Sequence, residues 1–230
     1  MYKEIRHFFT LRREVKEMLL IGNGRVITRQ ESGYLERGGV LIEGQLIKEV
    51  GPCQELRQKY PQAQFIDAKG GVIMPGLINA HNHIYSAMAR GLAVKGYNPH
   101  NFEDILEGMW WRLDRQLSLE NDRLSAYATY LDCIKNGVTT IFDHHASYGH
   151  IPNSLDQLAE PARELGLRVS LCYEVSDRDG REKMLEAVLE NERMIDLAAR
   201  DESDMLKAMM GLHAAFTLSD ETLALCAEHG

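Results

Sequence analysis

From Leu77 onward, short apolar runs alternate with longer amphipathic segments, and this alternation leaves few architectures open. Pro75-Gly76 breaks the backbone ahead of Leu77-Ile78-Asn79-Ala80-His81, which reads as a short buried strand. Ser118 is placed to cap a helix ending at Gly137: a serine oxygen satisfies free N–H groups at a helix start, and glycine tolerates the turn past its end. Val138–Phe142 is the second strand, and Asn153 or Ser154 starts a helix closed by Gly166. Arg168–Tyr173 is the third strand, Arg181–Ala199 a long helix and Lys207–Leu212 the fourth strand. Ser219 then caps a helix whose Asp220 and Glu221 suit the positive end of the helix dipole. Repeats of ~30–40 residues with this order imply parallel strands and right-handed crossovers. The expected fold class is α/β of the TIM type, and dinucleotide binding on a Rossmann sheet is disfavoured because no G-x-G-x-x-G follows the first strand.

Polar side chains gather where these strands end. The first strand runs into His81-Asn82-His83, the second into Asp143-His144-His145, the third into Glu174 and the fourth into His213. Side chains alternate across a strand, so His81 and His83 leave one face with backbones ~7 Å apart and can converge on one metal ion. A catalytic zinc takes nitrogen ligands at about 2.0–2.1 Å, at least one further protein ligand and an open position for water. A lone His-x-His is a weak motif in a chain with nine histidines, and a structural pair is the alternative. Its place at the end of an apolar strand entered by Pro-Gly favours the metal.

Residues 1–17 read as a leader without function or a short surface helix, and residues 18–70 as a small β layer. Within that layer Val40–Ile47 is a hairpin with Gly44 in its turn, and Gln54–Tyr60 adds a helical turn or two. Residues 84–121 are too long for an ordinary connection, which points to a lid or binding loop. Phe102, Ile105, Leu106, Met109, Trp110 and Leu113 suit one helix face there. The Trp110-Trp111 pair either walls a pocket or packs on the barrel.

Net charge of −8 argues against a nucleic-acid surface, which calls for clustered Lys and Arg, and favours a small-molecule substrate. Cys53, Cys133, Cys172 and Cys226 form no C-x-x-C pair, as expected of reduced thiols in a cytoplasmic protein. No apolar run approaches the ~20 residues of a membrane span, and no signal peptide is visible.

Three motifs carry a family resemblance: Pro75–His83, the Gly137-Val138-Thr139-Thr140 turn into the second strand, and Gly211-Leu212-His213 ahead of Thr217 and Ser219. Together they resemble the amidohydrolase superfamily, most nearly its aminohydrolase and chlorohydrolase branch, which includes guanine and S-adenosylhomocysteine deaminases. The resemblance covers essentially all of residues 18–230. It implies a (β/α)8 barrel beside a β-sandwich, truncated here to about the first four β/α units. The domains expected are a β-sandwich segment at 18–70 and the N-terminal half of a hydrolase barrel at 71–230. The resemblance makes His81 and His83 the first two ligands of one divalent metal ion, zinc or else iron. It places His213 and His144 against substrate, hydrogen-bonded structural histidines being the alternative for both and for His145, and Asp143 and Trp110 are further substrate-binding candidates. The implied reaction is hydrolysis of a C–N bond in a purine-like or other nitrogen heterocycle. Its acid and base residues, and the remaining ligands, are expected beyond Gly230. Ala214-Ala215 departs from the Ala-Pro usual after the fourth-strand histidine. A non-catalytic half-barrel, either a module or a truncated gene product, is the alternative, one that associates with another chain or a further copy of itself through an unpaired sheet edge.

Overall fold

The computed structural model describes residues 18–28 and 33–230; the 1–17 segment, read as a leader or surface helix, lies outside them. The chain divides into two compact units between Pro75 and Gly76. The first holds β1 (Met18–Ile27), β2 (Tyr34–Glu43), β3 (Leu46–Pro52), α1 (Cys53–Lys59), β4 (Gln64–Asp67) and β5 (Val72–Ile73). β1 pairs antiparallel with β2 and parallel with β4 and β5, giving a mixed five-stranded sheet. Gly44 turns the β2–β3 hairpin at φ 63°, a conformation cheap only without a side chain. Leu56 of α1 covers Leu20 and Leu41, so a helix does the work of a second layer. No second sheet of a sandwich is found among the described residues.

In the second unit β6 (Leu77–Asn82), β7 (Val138–His145), β8 (Arg168–Val175), β9 (Leu206–Ala208) and β10 (Gly211–Leu212) are all parallel. Their order is β10-β8-β7-β6, with β9 also on β8. The helices are α2 (Phe102–Ile105), α3 (Trp111–Asp114), α4 (Leu119–Lys135), α5 (Asp156–Leu165), α6 (Arg181–Ala199) and α7 (Asp220–His229). Residues Leu106–Trp110 join α2 to α3 as a wide π turn. The core between sheet and helices centres on Tyr130, Ile141, Leu158, Leu171, Tyr173 and Met194, all buried. Among the described residues no helix is long and apolar enough to cross a membrane.

Local signals set most boundaries. Ser118 and Asn121 form a reciprocal capping box on α4, and Ser219 accepts from the Thr222 N–H to cap α7. Gly137 and Gly166 take φ 75° after α4 and α5.

Two departures have tertiary causes. α5 begins at Asp156, later than Asn153 or Ser154, because the Glu190 carboxylate on α6 accepts from the Asn153 and Leu155 N–H groups at 3.0 and 3.1 Å. The fourth strand is split into β9 and β10 because Asn191 of α6 stands where a strand backbone would. Its amide donates to the Tyr173 carbonyl and accepts from the Tyr173 N–H, both at 2.8 Å. It also accepts from Gly211 N–H at 3.4 Å.

Asn191→Leu keeps the volume and removes these partners from buried backbone groups. We expect a loss of about 2–4 kcal/mol in urea unfolding; a loss below about 0.5 kcal/mol would show that water replaces the amide.

Candidate active site

The C-terminal ends of β6, β7, β8 and β10 open on one cavity of about 600 Å³. His81, His83, His144 and His213 all line it, as do Trp110, Trp111, Tyr85, Asp114 and Glu174. His81 is the fifth residue of β6 and His83 the first beyond it, so both side chains leave the same face. Their rings meet edge to face with centroids 4.8 Å apart.

Hydrogen bonds fix the tautomers. His83 Nδ1 lies 2.9 Å from the His144 carbonyl oxygen. A carbonyl only accepts, so Nδ1 carries the proton and Nε2 keeps its lone pair, the form a metal requires. Burial holds His83 below its ordinary pKa, and His81 pushes the same way. His144 Nε2 donates to the Leu212 carbonyl at 3.1 Å, and His213 Nδ1 bonds Thr217 Oγ1 at 2.9 Å. Burial pushes both His144 and His213 down to about 4, so both are neutral near pH 7.

Trp110 and Trp111 face the cavity from the turn and helix that precede α4, with Trp111 6.2 Å from the His213 ring. The wall behind them is a buried ion pair. Arg178 Nη2 reaches Asp114 Oδ2 at 2.6 Å and Glu174 Oε1 at 3.4 Å. Its guanidinium lies 3.8 Å from the Tyr148 ring centre and 5.1 Å from that of Trp111. Burial raises the Glu174 carboxyl to about 7 against the pull of Arg178.

Asp143 is placed otherwise. It is 3 % exposed, stands outside the cavity lining, and its Oδ1 accepts from the Ile84 N–H at 2.7 Å. It thus ties the chain just past His83 to β7. Its neighbour His145 is fully buried, 2.9 Å from Ser147 Oγ and 3.6 Å from Asp122.

Sequence reasoning saw Glu174 as a strand end without making it a site residue, and passed over Arg178 and Asp114. The Glu174-x-x-x-Arg178 spacing was a usable signal, whereas the partnership of Arg178 with Asp114 spans 64 residues.

Among the described residues no group of three or more His, Cys, Asp or Glu side chains is arranged to hold a metal ion. His81 and His83 fit as two nitrogen ligands of a site that needs at least one more.

The amidohydrolase family model matches residues 72–229, and a bacterial imidazolonepropionase-like composite domain matches residues 38–63. The chain belongs to the amidohydrolase family. It is 31% identical over 205 residues to the 5-methylthioadenosine/S-adenosylhomocysteine deaminase of Pyrococcus furiosus, covering 89% of this chain and 45% of that one. The 5'-deoxyadenosine deaminase of Methanosarcina mazei is 30% identical over 207 residues, covering 90% and 44%. Among solved structures, Escherichia coli guanine deaminase superposes with a TM-score of 0.74 at 18% identity, over 92% of this chain and 50% of that one. The atrazine chlorohydrolase of Arthrobacter aurescens complexed with zinc gives 0.73 at 24% identity, over 91% and 50%. The chain thus spans about half the length of the relatives it matches, and its parallel sheet corresponds to half of an amidohydrolase TIM barrel.

Asp143 carries a pH signature. Burial lifts it from 3.8 to about 7, so its contribution to stability is whole below about pH 4 and is lost as pH rises through about 7. We expect wild type to lose stability relative to Asp143→Asn across that window, by on the order of a few kcal/mol, in urea unfolding at stepped pH. Parallel curves for the two proteins would refute the raised value.

Proposed function

We propose that this chain carries the first metal ligands and much of the substrate wall of a metal-dependent aminohydrolase, a hydrolase of C–N bonds other than peptide bonds. The observation that carries this reading is the His81–His83 pair at the cavity, with His83 Nε2 left free by the bond from Nδ1 to the His144 carbonyl. The substrate is a purine-like or other nitrogen heterocycle. His144 and His213 face it as neutral imidazoles, and Trp110 offers it a flat apolar wall. Asp143 acts at one remove, holding the backbone after His83.

Within the family the Trp110–Arg115, Asp143–Ser147 and Ser176–Arg178 segments are similar to the SsnA aminohydrolases, which are associated with selenium and purine metabolism. The deaminase names of the relatives favour the same chemistry. Zinc is the first candidate because the chlorohydrolase relative is complexed with it, and iron is the alternative that imidazole ligands also accept. When bound, zinc supplies the Lewis acidity that makes water reactive near neutral pH. The protein residues orient the ring and exclude bulk water around it. The four cysteines are free and buried, in keeping with a cytoplasmic location.

A second reading, a non-catalytic half-barrel that pairs with another chain or a second copy, is favoured by the lack of a third metal donor among the described residues. Zinc separates the two. We expect the purified chain to hold zinc in competition with a chromophoric chelator, and the His81→Ala, His83→Ala double variant to hold at least about tenfold less. Equal zinc in both proteins, or none in either, would favour the second reading.

A further inference from the structure

Glu174 is 4 % exposed and lines the cavity, yet among the described residues no group donates a hydrogen bond to its carboxylate. Arg178 Nη2, at 3.4 Å, stands on the Oε1 side. Oε2 faces two imidazole nitrogens, His144 Nδ1 at 3.9 Å and His213 Nε2 at 4.0 Å. Neither nitrogen carries a proton. The Leu212 carbonyl takes the His144 proton on Nε2. Thr217 Oγ1 gives its own hydrogen to the Ala214 carbonyl at 2.8 Å, so it accepts from His213 Nδ1 and leaves Nε2 bare.

With Glu174 ionised, as it is above about pH 7, three acceptors therefore stand together on one wall with no hydrogen between them. Separations of 3.9 and 4.0 Å are too long for a direct bond. Acceptors this far apart and each ~2.9 Å from one nitrogen subtend about 85° there, so the two hydrogens of an amino group reach the carboxylate and one imidazole through bent bonds. A ligand that displaces water from these acceptors without giving them a donor loses roughly a hydrogen bond at each, so the wall is suited to one that brings hydrogens.

We propose that Glu174 Oε2, His144 Nδ1 and His213 Nε2 form a cradle for a hydrogen-bearing exocyclic amino group on a planar heterocycle, and that Glu174 is the specificity-determining residue. The proposal rests on the aminohydrolase reading of the cavity and sharpens it. The cradle selects amino-substituted rings over chloro or dialkylamino counterparts of similar shape, which bring no hydrogen and set a lone pair or a methyl group against the carboxylate. Arg178 is the positioning residue: its bond to Asp114 at 2.6 Å keeps the guanidinium on the far side of Glu174. Glu174→Gln is nearly isosteric, and its own amide hydrogens fill the cradle.

Both tryptophans of the chain, Trp110 and Trp111, line this cavity, so quenching of intrinsic fluorescence reads its occupancy. The wild-type chain is titrated with adenine, 6-chloropurine and N6,N6-dimethyladenine, three probes that share the ring N–H and differ at the exocyclic group. Adenine is expected to bind at least about tenfold more tightly than the other two, and Glu174→Gln is expected to bring all three within about threefold. Equal binding of the three probes to wild type, no quenching by any, or a preference that survives Glu174→Gln would overturn the proposal. The wild-type series decides even if the variant fails to fold, which circular dichroism shows. Zinc measured on the same samples keeps the two readings apart: zinc without amino preference sinks the cradle alone, and amino preference without zinc sinks the metal assignment alone.

Discussion

Each histidine that lines the cavity beyond β6 gives one ring nitrogen to the protein and keeps the other for the cavity. The bond from the His83 ring to the His144 carbonyl ties the end of β6 to β7. The bond from the His144 ring to the Leu212 carbonyl ties β7 to β10, and His213 is turned by Thr217. Strand ends offer these carbonyls because the ladder stops there and the acceptors need partners. One set of bonds thus closes the backbone at the mouth and sets which nitrogens hold lone pairs. Which imidazole nitrogens face the cavity as acceptors follows from that single constraint.

The second constraint is the buried charge at Arg178. Its guanidinium is flanked by the rings of Tyr148 and Trp111, bonded to Asp114 and close to Glu174, while Nε and Nη1 have no hydrogen-bond partner among the described residues. A cation in that position is costly without its acids, so the pair holds as a unit. Asp114 ends α3, and Arg178 follows β8 by three residues. The pair therefore fastens the tryptophan-bearing segment to the sheet, which turns a long connection into a fixed wall.

The alternation of strand and helix was legible because burial on a parallel sheet imposes runs of a set length and composition, and the caps at Ser118 and Ser219 were legible because they are local. His81 and His83 could be put on one face from the strand period alone. What escaped is tertiary. The start of α5 is set by Glu190, distant in sequence, and the break between β9 and β10 by Asn191. No pattern in a single sequence announces that a helix side chain will stand in for a strand. The orientation of Asp143 escaped for a related reason: in Asp143-His144-His145 the pleat turns alternate residues to opposite faces, and only the packed structure shows which face meets the cavity.

Asp143 and Glu174 show why a shifted pKa is not a role. Burial lifts both carboxyls to about 7. Asp143 spends Oδ1 on the Ile84 N–H and stands outside the cavity lining. Glu174 lines the cavity, receives no hydrogen bond from the described residues and faces two bare imidazole nitrogens. The same desolvation produces an anchor in one case and an open acceptor in the other. What separates them is the partner each lacks: the backbone supplies one for Asp143, and the cradle leaves that of Glu174 to the ligand.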